Sequence, residues 1–309
     1  MADAYPEVTL LMGTFHSEAF VENALRSLLA QDYPNLRMVV CDDASTDGTL
    51  ARCRDIAGDD PRVEIRQNPR NLGWAENYRQ LLDGVSSAYV AFAFHDDVLA
   101  PDYVRKAIAR LEANTNAVVA YSDLFQKCPL TERALADHLY SGGCSRFQRC
   151  RRLLLNRGHW WIAFRGVVRR DAAVAATSEL VQSVGGGVSA DWFWCLKLAS
   201  LGDFERIPEV LTFKNLRKRG VSQSWSDPPW RRVVRLIRGY RMVAGLSIPI
   251  WEKIGLLGTF PMALAGTAWH AFKRRMKAPR TAEGVFERSA IASSSSDKNG
   301  LIGRYPFPR

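Results

Sequence analysis

The 309-residue chain lacks the signatures of several large function classes. Its six cysteines, at 41, 53, 128, 144, 150 and 195, form no CxxC pair, and no His/Cys group has zinc-ligand spacing. They read as free thiols of a reducing compartment. The opening MADAYPEVTLLMG has no basic region and no long apolar core, so a secretory signal is not expected. No GxxxxGK[ST] loop is present, and no GxGxxG follows the first apolar run, which removes support from Walker-type and dinucleotide readings. There is no GxSxG nucleophile elbow, no helix-turn-helix or RNA-recognition signature and no internal repeat. With 47% hydrophobic and 24% charged residues, the composition excludes a wholly disordered, collagen-like or coiled-coil chain.

What is present begins with charge. The net charge is +10 and the pI about 9.5, a balance that suits an anionic partner: nucleic acid, an anionic membrane surface or a phosphorylated substrate. The excess is uneven. Residues 146–280 hold 25 Lys/Arg against 8 Asp/Glu, a net of +17, and the remainder carries −7. A site needing both carboxylates and cations belongs where the two parts meet.

The first 125 residues alternate apolar runs with helical periodicity. Val8–Met12 stops at Gly13, and residues 18–31 place Phe20, Ala24, Leu28 and Leu29 on one helical face. Leu36–Cys41 runs into a polar turn, a short helix is expected from Thr49, and Val63 and Ile65 mark a strand. Trp74–Leu82 reads as a helix, Ala88–Phe94 as a strand, Pro101 as the opening of a helix to about Asn114, and Val118–Tyr121 as a short strand. This alternation predicts a doubly wound, mostly parallel sheet with helices on both faces. Ligands of such sheets bind beyond the carboxyl ends of the strands. The polar residues there are Thr14, the pair Asp42–Asp43, and the pair Asp96–Asp97.

Residues 126–160 are irregular in pattern, and 161–170 look partly extended. A helix is expected near Asp191, ended by Gly202. Trp230–Met242 is basic and helical in pattern, Ile254–Phe272 is largely apolar, and 281–309, with four serines at 293–296, reads as a disordered tail.

Four constellations carry chemistry. In CDDASTDGT (41–49), two carboxylates end a buried strand. They either cap the next turn or accept a hydrogen bond from a base imide such as that of uracil. In FHDDVLAP (94–101), adjacent carboxylates repel each other and suit a hard divalent cation, with helix capping ahead of Pro101 as the plain alternative. Asp191 in SADWFW is either a general base with an aromatic floor from Trp192 and Trp194, or an ordinary helix N-terminal carboxylate. The stretch LTFKNLRKRGVSQS (211–224) either embraces a diphosphate or is a solvated basic loop.

Together these motifs resemble the family 2 glycosyltransferases of GT-A fold. The resemblance runs through VTLLMGTFHSEAFVENALRSLLAQDYPNLRMVVCDDASTDGT, NPRNLGWAENYRQLL, FHDD and ADWFWCLKLASLG, and covers about residues 7–225. It implies a Rossmann-like domain over 1–225, with a nucleotide-binding half (1–125) and an acceptor and catalytic half (126–225). A basic and apolar helical extension (226–280) and a tail (281–309) would follow. It implies that Thr14, Asp42, Asp43, Arg70, Asn77 and Asp96 border a nucleotide-sugar, that Asp97 holds Mg²⁺ or Mn²⁺, and that Asp191 is the base of an inverting transfer. Two departures stand out: Phe15-His16 replaces the family's frequent Tyr-Asn, and Arg219 stands where many members carry a phosphate-side histidine. Arg219 can neutralise phosphate but has no lone pair to ligate a metal.

The expected donor is a nucleoside-diphosphate sugar, UDP-linked by preference, and the acceptor a glycan or lipid-linked hydroxyl in surface polysaccharide synthesis. A cytoplasmic location is expected. Ile254–Phe272 either docks peripherally on the inner membrane face, aided by neighbouring Arg and Lys, or packs on the catalytic domain. The competing functions are a nucleotidyltransferase and a non-catalytic sugar-nucleotide binder; nucleic acid is not an expected partner.

Overall fold

The computed structural model describes residues 5–128, 131–135, 143–156, 158–180, 190–215 and 229–277. The strands β1 (Val8–Thr14), β2 (Leu36–Asp42), β3 (Val63–Gln67) and β4 (Tyr89–Phe94) pair in parallel in the order β3-β2-β1-β4. Helices α1 (Val21–Leu29), α2 (Thr49–Ala57) and α3 (Trp74–Leu82) connect them. Every residue of β1 is buried, as expected of a parallel strand covered on both faces. Its side chains alternate: Leu10 and Met12 join a core with α1, while Leu11 joins a second core with α3.

The sheet continues with β5 (Asp97–Leu99), α4 (Tyr103–Ala113), β6 (Ala117–Cys128), β7 (Thr131–Leu135), α5 (Arg146–Leu154) and β8 (Val167–Arg169). After α6 (Arg170–Ala176) and α7 (Ala190–Leu201) comes β9 (Asp203–Asn215). Beyond β4 the order is β8-β6-β9-β5, with β7 on the outer side of β6. Here β8 is antiparallel to β4 and β6, β5 is antiparallel to β9, and β6 and β9 run parallel.

The second half departs most from the sequence pattern. Residues 126–160 contain the end of β6, all of β7 and α5, where an irregular stretch was expected. Helix α5 hides its period because four of its nine residues are arginine; its start is fixed by a capping box between Ser145 and Gln148. Residues 160–165 form a 3₁₀ turn rather than an extended segment, and only 167–169 are strand.

Three C-terminal helices follow: α8 (Pro229–Gly245), α9 (Ile250–Leu257) and α10 (Phe260–Lys277). Helix α8 buries Leu236, Tyr240 and Val243. A methyl group at Gly239 would overlap the Trp192 ring, so this glycine lets α8 approach α7. Helix α9 is tied to α5 by the Arg146–Glu252 ion pair at 2.9 Å. The chain divides into two compact units, 1–268 and 269–309, so α8 and α9 belong with the sheet. The described part of the second unit is the C-terminal end of α10.

The apolar segment Ile254–Phe272 is not one continuous helix. It breaks at Gly258–Thr259, where the Thr259 hydroxyl donates to the Leu256 carbonyl at 2.7 Å. Among the described residues, no helix is long and apolar enough to cross a membrane.

Candidate functional site

The carboxyl ends of β1, β2 and β4 converge, as the parallel arrangement requires. Two non-glycine residues just beyond these strands, His16 (φ 46°) and Ala44 (φ 58°), occupy the left-handed region. Such backbone persists where surrounding bonds over-determine it. His16 donates its backbone N–H to the Ser45 hydroxyl at 3.0 Å, and its ring stacks on Phe15 with centroids 4.1 Å apart.

The adjacent carboxylates of β2 have different surroundings. Asp42 is fully buried and accepts from the Thr14 hydroxyl (3.2 Å), the Ser45 hydroxyl (2.5 Å), the Ser45 N–H (2.9 Å) and the Gln67 amide (3.4 Å). Four donors use the lone-pair directions of a carboxylate. Asp42 therefore holds the turn together, with the Thr14 hydroxyl as one of its donors. Asp43 accepts at Oδ1 from the Asn68 amide (2.8 Å) and the Leu72 N–H (2.9 Å), and at Oδ2 from the Gly73 N–H (2.9 Å). One lone-pair direction on Oδ2 is left, enough to accept one ligand N–H.

Asn77 is buried at the foot of the same network. It accepts from Asn68 (3.2 Å) and donates to the Cys41 carbonyl (3.1 Å), locking α3 against β2. Gly13 is constrained by this packing, since a Cβ there would lie 3.0 Å from the Asn77 amide nitrogen. Arg70 is exposed on the loop before α3 and has no ion-pair partner among the described residues. Arg219 lies outside the described residues.

Asp96 and Asp97 sit where β4 turns into β5. Strand β5 pairs with β9 so that Asp97 stands opposite Lys214. The Lys214 ammonium lies 3.5 Å from Asp97 Oδ1 and 4.0 Å from Asp96 Oδ2, bridging the pair. Arg165, at the end of the 3₁₀ turn, donates from Nε to Asp97 Oδ2 at 2.6 Å. Its guanidinium lies over Phe94, 4.5 Å from the ring centroid, and 5.2 Å from that of Trp161. The α4 residue Tyr103 fixes this turn by donating its hydroxyl proton to the Arg165 carbonyl at 2.7 Å.

Asp191 opens α7 and accepts from the Trp192 N–H at 2.8 Å. The side chain keeps some exposure, yet the protein around it dominates: burial pushes its pKa up to about 6. The Trp192 N–H and the guanidinium groups of Arg165 and Arg235 pull in the opposite direction without cancelling that penalty. Of the two readings open for Trp192 and Trp194, the aromatic floor is not the one found. Both rings are buried: Trp192 donates to the Leu153 carbonyl at 3.1 Å, and Trp194 packs 5.2 Å from both Phe92 and Phe164. Tryptophans so close to a helix start on this apolar helix belong to the core. Trp160 and Trp161 remain half-buried.

The model of glycosyl transferase family 2 matches residues 9–169, just over half of the chain. The chain belongs to that family. Solved structures agree with a GT-A-type fold. The Staphylococcus aureus protein TarS (residues 1–349, with UDP-GlcNAc) superposes with a TM-score of 0.67 at 16% identity, covering 88% of this chain and 76% of TarS. A mannosyltransferase from Pyrobaculum calidifontis, solved with GDP-Man and Mn²⁺, gives a TM-score of 0.56 at 19% identity, covering 94% and 79%. Among curated relatives, the GalNAc(5)-diNAcBac-PP-undecaprenol β-1,3-glucosyltransferase of Campylobacter jejuni is 27% identical over 139 residues, 44% of this chain and 43% of that protein. The matches span less than half the length of the curated relatives.

For a family 2 member, the geometry adds two groups that motif reading left without a partner. Asn68 ties Asp43 to Asn77, a role that motif reading did not assign to it. Arg165, largely enclosed, is the cation of the FHDD pair, and it comes from the half (126–225) that the sequence assigned to acceptor and catalysis. No signal in the chain order links residues 97 and 165, because their contact depends on β8 returning antiparallel to β4.

Proposed function

We propose that this family 2 glycosyltransferase transfers a sugar from a nucleoside-diphosphate donor to an acceptor hydroxyl with inversion, and that Asp191 is the base. The observation that carries this is Arg165, which is bonded to Asp97 and also acts electrostatically on Asp191, linking Asp191 to the acidic strand ends. A pKa near 6 lets Asp191 be ionised at neutral pH yet basic enough to accept a proton. The acceptor hydroxyl gives its proton to Asp191 and attacks the anomeric carbon opposite the departing nucleoside diphosphate. The free lone pair on Asp43 Oδ2 suits the imide N–H of uracil, and the UDP-GlcNAc seen in TarS favours a UDP-sugar.

The FHDD residues fit a divalent ion. Arg165 fixes Asp97 Oδ2 and leaves Oδ1 to Lys214, whose ammonium at 3.5 and 4.0 Å is a loose stand-in for a cation between the two carboxylates. Asp97 would hold Mg²⁺ or Mn²⁺, with Asp96 beside it or on the ribose. When bound, the ion supplies positive charge for the diphosphate. The Mn²⁺ of the Pyrobaculum enzyme supports this assignment. Lys214, and Arg219 in the basic segment after it, add charge on the leaving-group side.

The acceptor is a glycan or lipid-linked hydroxyl of a surface polysaccharide, by likeness to the undecaprenol-linked Campylobacter relative. The enzyme works from the cytoplasmic side, in peripheral contact with the membrane. The test is Asp191→Asn. It should abolish turnover, measured as donor-dependent release of nucleoside diphosphate with acceptor, while donor affinity is kept. Near-normal turnover of the variant would remove Asp191 from the role of base.

A further inference from the structure

Thirteen large hydrophobic side chains are exposed among the described residues, and nine of them lie in residues 229–268 of the first unit. Scattered exposed apolar residues are ordinary, whereas a concentration of this kind marks a contact surface. Its centre is α9. Ile250, Trp251, Ile254 and Leu257 follow the spacing of one helical face and are 63, 70, 65 and 36% exposed. The opposite face is the one that packs: Leu256 is fully buried, Gly255 faces Phe147, and Glu252 is paired with Arg146. The outward stripe is thus a second apolar face, not an unfinished core contact. On α10, Met262 is also exposed, at 50%.

Charge says what covers it. Within the first unit, residues 229–268 contain six Lys/Arg and a single acid, Glu252, which is already neutralised by Arg146. An apolar stripe with an exposed tryptophan, on a segment of net positive charge, matches the interface of an anionic bilayer. A second copy of the chain fits less well, because an isologous contact would bring two such cationic segments together.

We propose that α9 and the start of α10 form a monotopic docking surface that inserts Trp251, Ile254 and their neighbours into an anionic membrane leaflet. This deepens the membrane part of the reading above and specifies the surface. Its test is independent of glycosyl transfer. The full-length protein would be co-sedimented with phosphatidylcholine vesicles with and without phosphatidylglycerol. Selective binding to the anionic vesicles is expected, with loss of about tenfold or more in partition for Trp251→Glu/Ile254→Glu. Both side chains are exposed, so the variant should keep its fold, checked by an unchanged melting temperature and unchanged UDP affinity. The milder Trp251→Ser should bind with an intermediate loss.

Three results would overturn the proposal. The first is no binding of the wild-type protein to anionic vesicles. The second is unchanged binding of the double variant, which would leave basic residues alone responsible. The third is a wild-type dimer, seen by analytical ultracentrifugation, that the double variant dissociates. Failed vesicle binding with intact UDP binding would sink the docking surface alone. The reverse pattern would sink the donor reading and leave the surface standing.

Discussion

Replacing Asp191 by Asn should make the protein inactive and, at neutral pH, more stable. The carboxyl pKa rises from 3.8 to about 6 because burial disfavours its charge. The sign follows from linkage: the unfolded chain gives up the proton first, so the native state suffers no penalty below about pH 3.8. The penalty grows as the pH rises through about 6 and is complete above it. Two pK units correspond to about 3 kcal/mol, which partial exposure of the side chain trims to about 1–3 kcal/mol. Asn keeps an oxygen for the Trp192 N–H and carries no charge. Its stability advantage over the wild type should therefore be near zero at pH 4 and reach about 1–3 kcal/mol above pH 7, a few degrees in melting temperature. The assay is a series of thermal and urea melts of both proteins from pH 4 to 8 without divalent ions. An advantage that does not change with pH, or a variant less stable at pH 8, would refute the claim that Asp191 is held ionised against its surroundings. In the wild type, kcat/KM should rise with pH through about 6, and added Mn²⁺ should move that step downward.

Two further outcomes follow from the same geometry. Arg165→Met leaves the buried Asp97 carboxylate with only the distant Lys214 and should destabilise the fold by about 3 kcal/mol or more in urea melts, while Arg165→Lys recovers part of this; equal stability of all three proteins would contradict the buried pair. Asp43→Ala removes the acceptor shared by the Asn68 amide and the Leu72 and Gly73 N–H groups and should cost about 1–2 kcal/mol together with loss of UDP affinity, so a variant that keeps both by melt and by calorimetry would show that Asp43 does neither job.

The parallel half of the fold was legible because its signals are local. In β1 and β2 the apolar runs coincide with the strands, since both faces of each are covered. The polar residues after them must then fall at the carboxyl ends of the strands, which is why Asp43, Asp96 and Asp97 could be singled out. Asp42 shows the limit: its sequence environment matches that of Asp43, but its carboxylate is consumed by Thr14, Ser45 and Gln67 through bonds that only the folded turn creates. The second half was less legible because its strands pair across long separations and its helix α5 is disguised by arginines. Trp192 and Trp194 were open to two readings because aromatic residues beside a carboxylate look alike whether they line a sugar site or a core. Burial decides for the core. The apolar run Ile254–Phe272 could not reveal its own break, which arises where Thr259 turns back onto Leu256 and meets Tyr240.

The central claim is that the acidic strand ends form a nucleoside-diphosphate site. Its most direct test is calorimetric titration of the full-length protein with UDP, GDP, ADP and CDP, each with and without Mn²⁺. Saturable binding of one nucleotide at a single site is expected, with UDP tightest, strengthened by Mn²⁺ and lost in Asp97→Asn. No binding of any nucleoside diphosphate under either condition would contradict it.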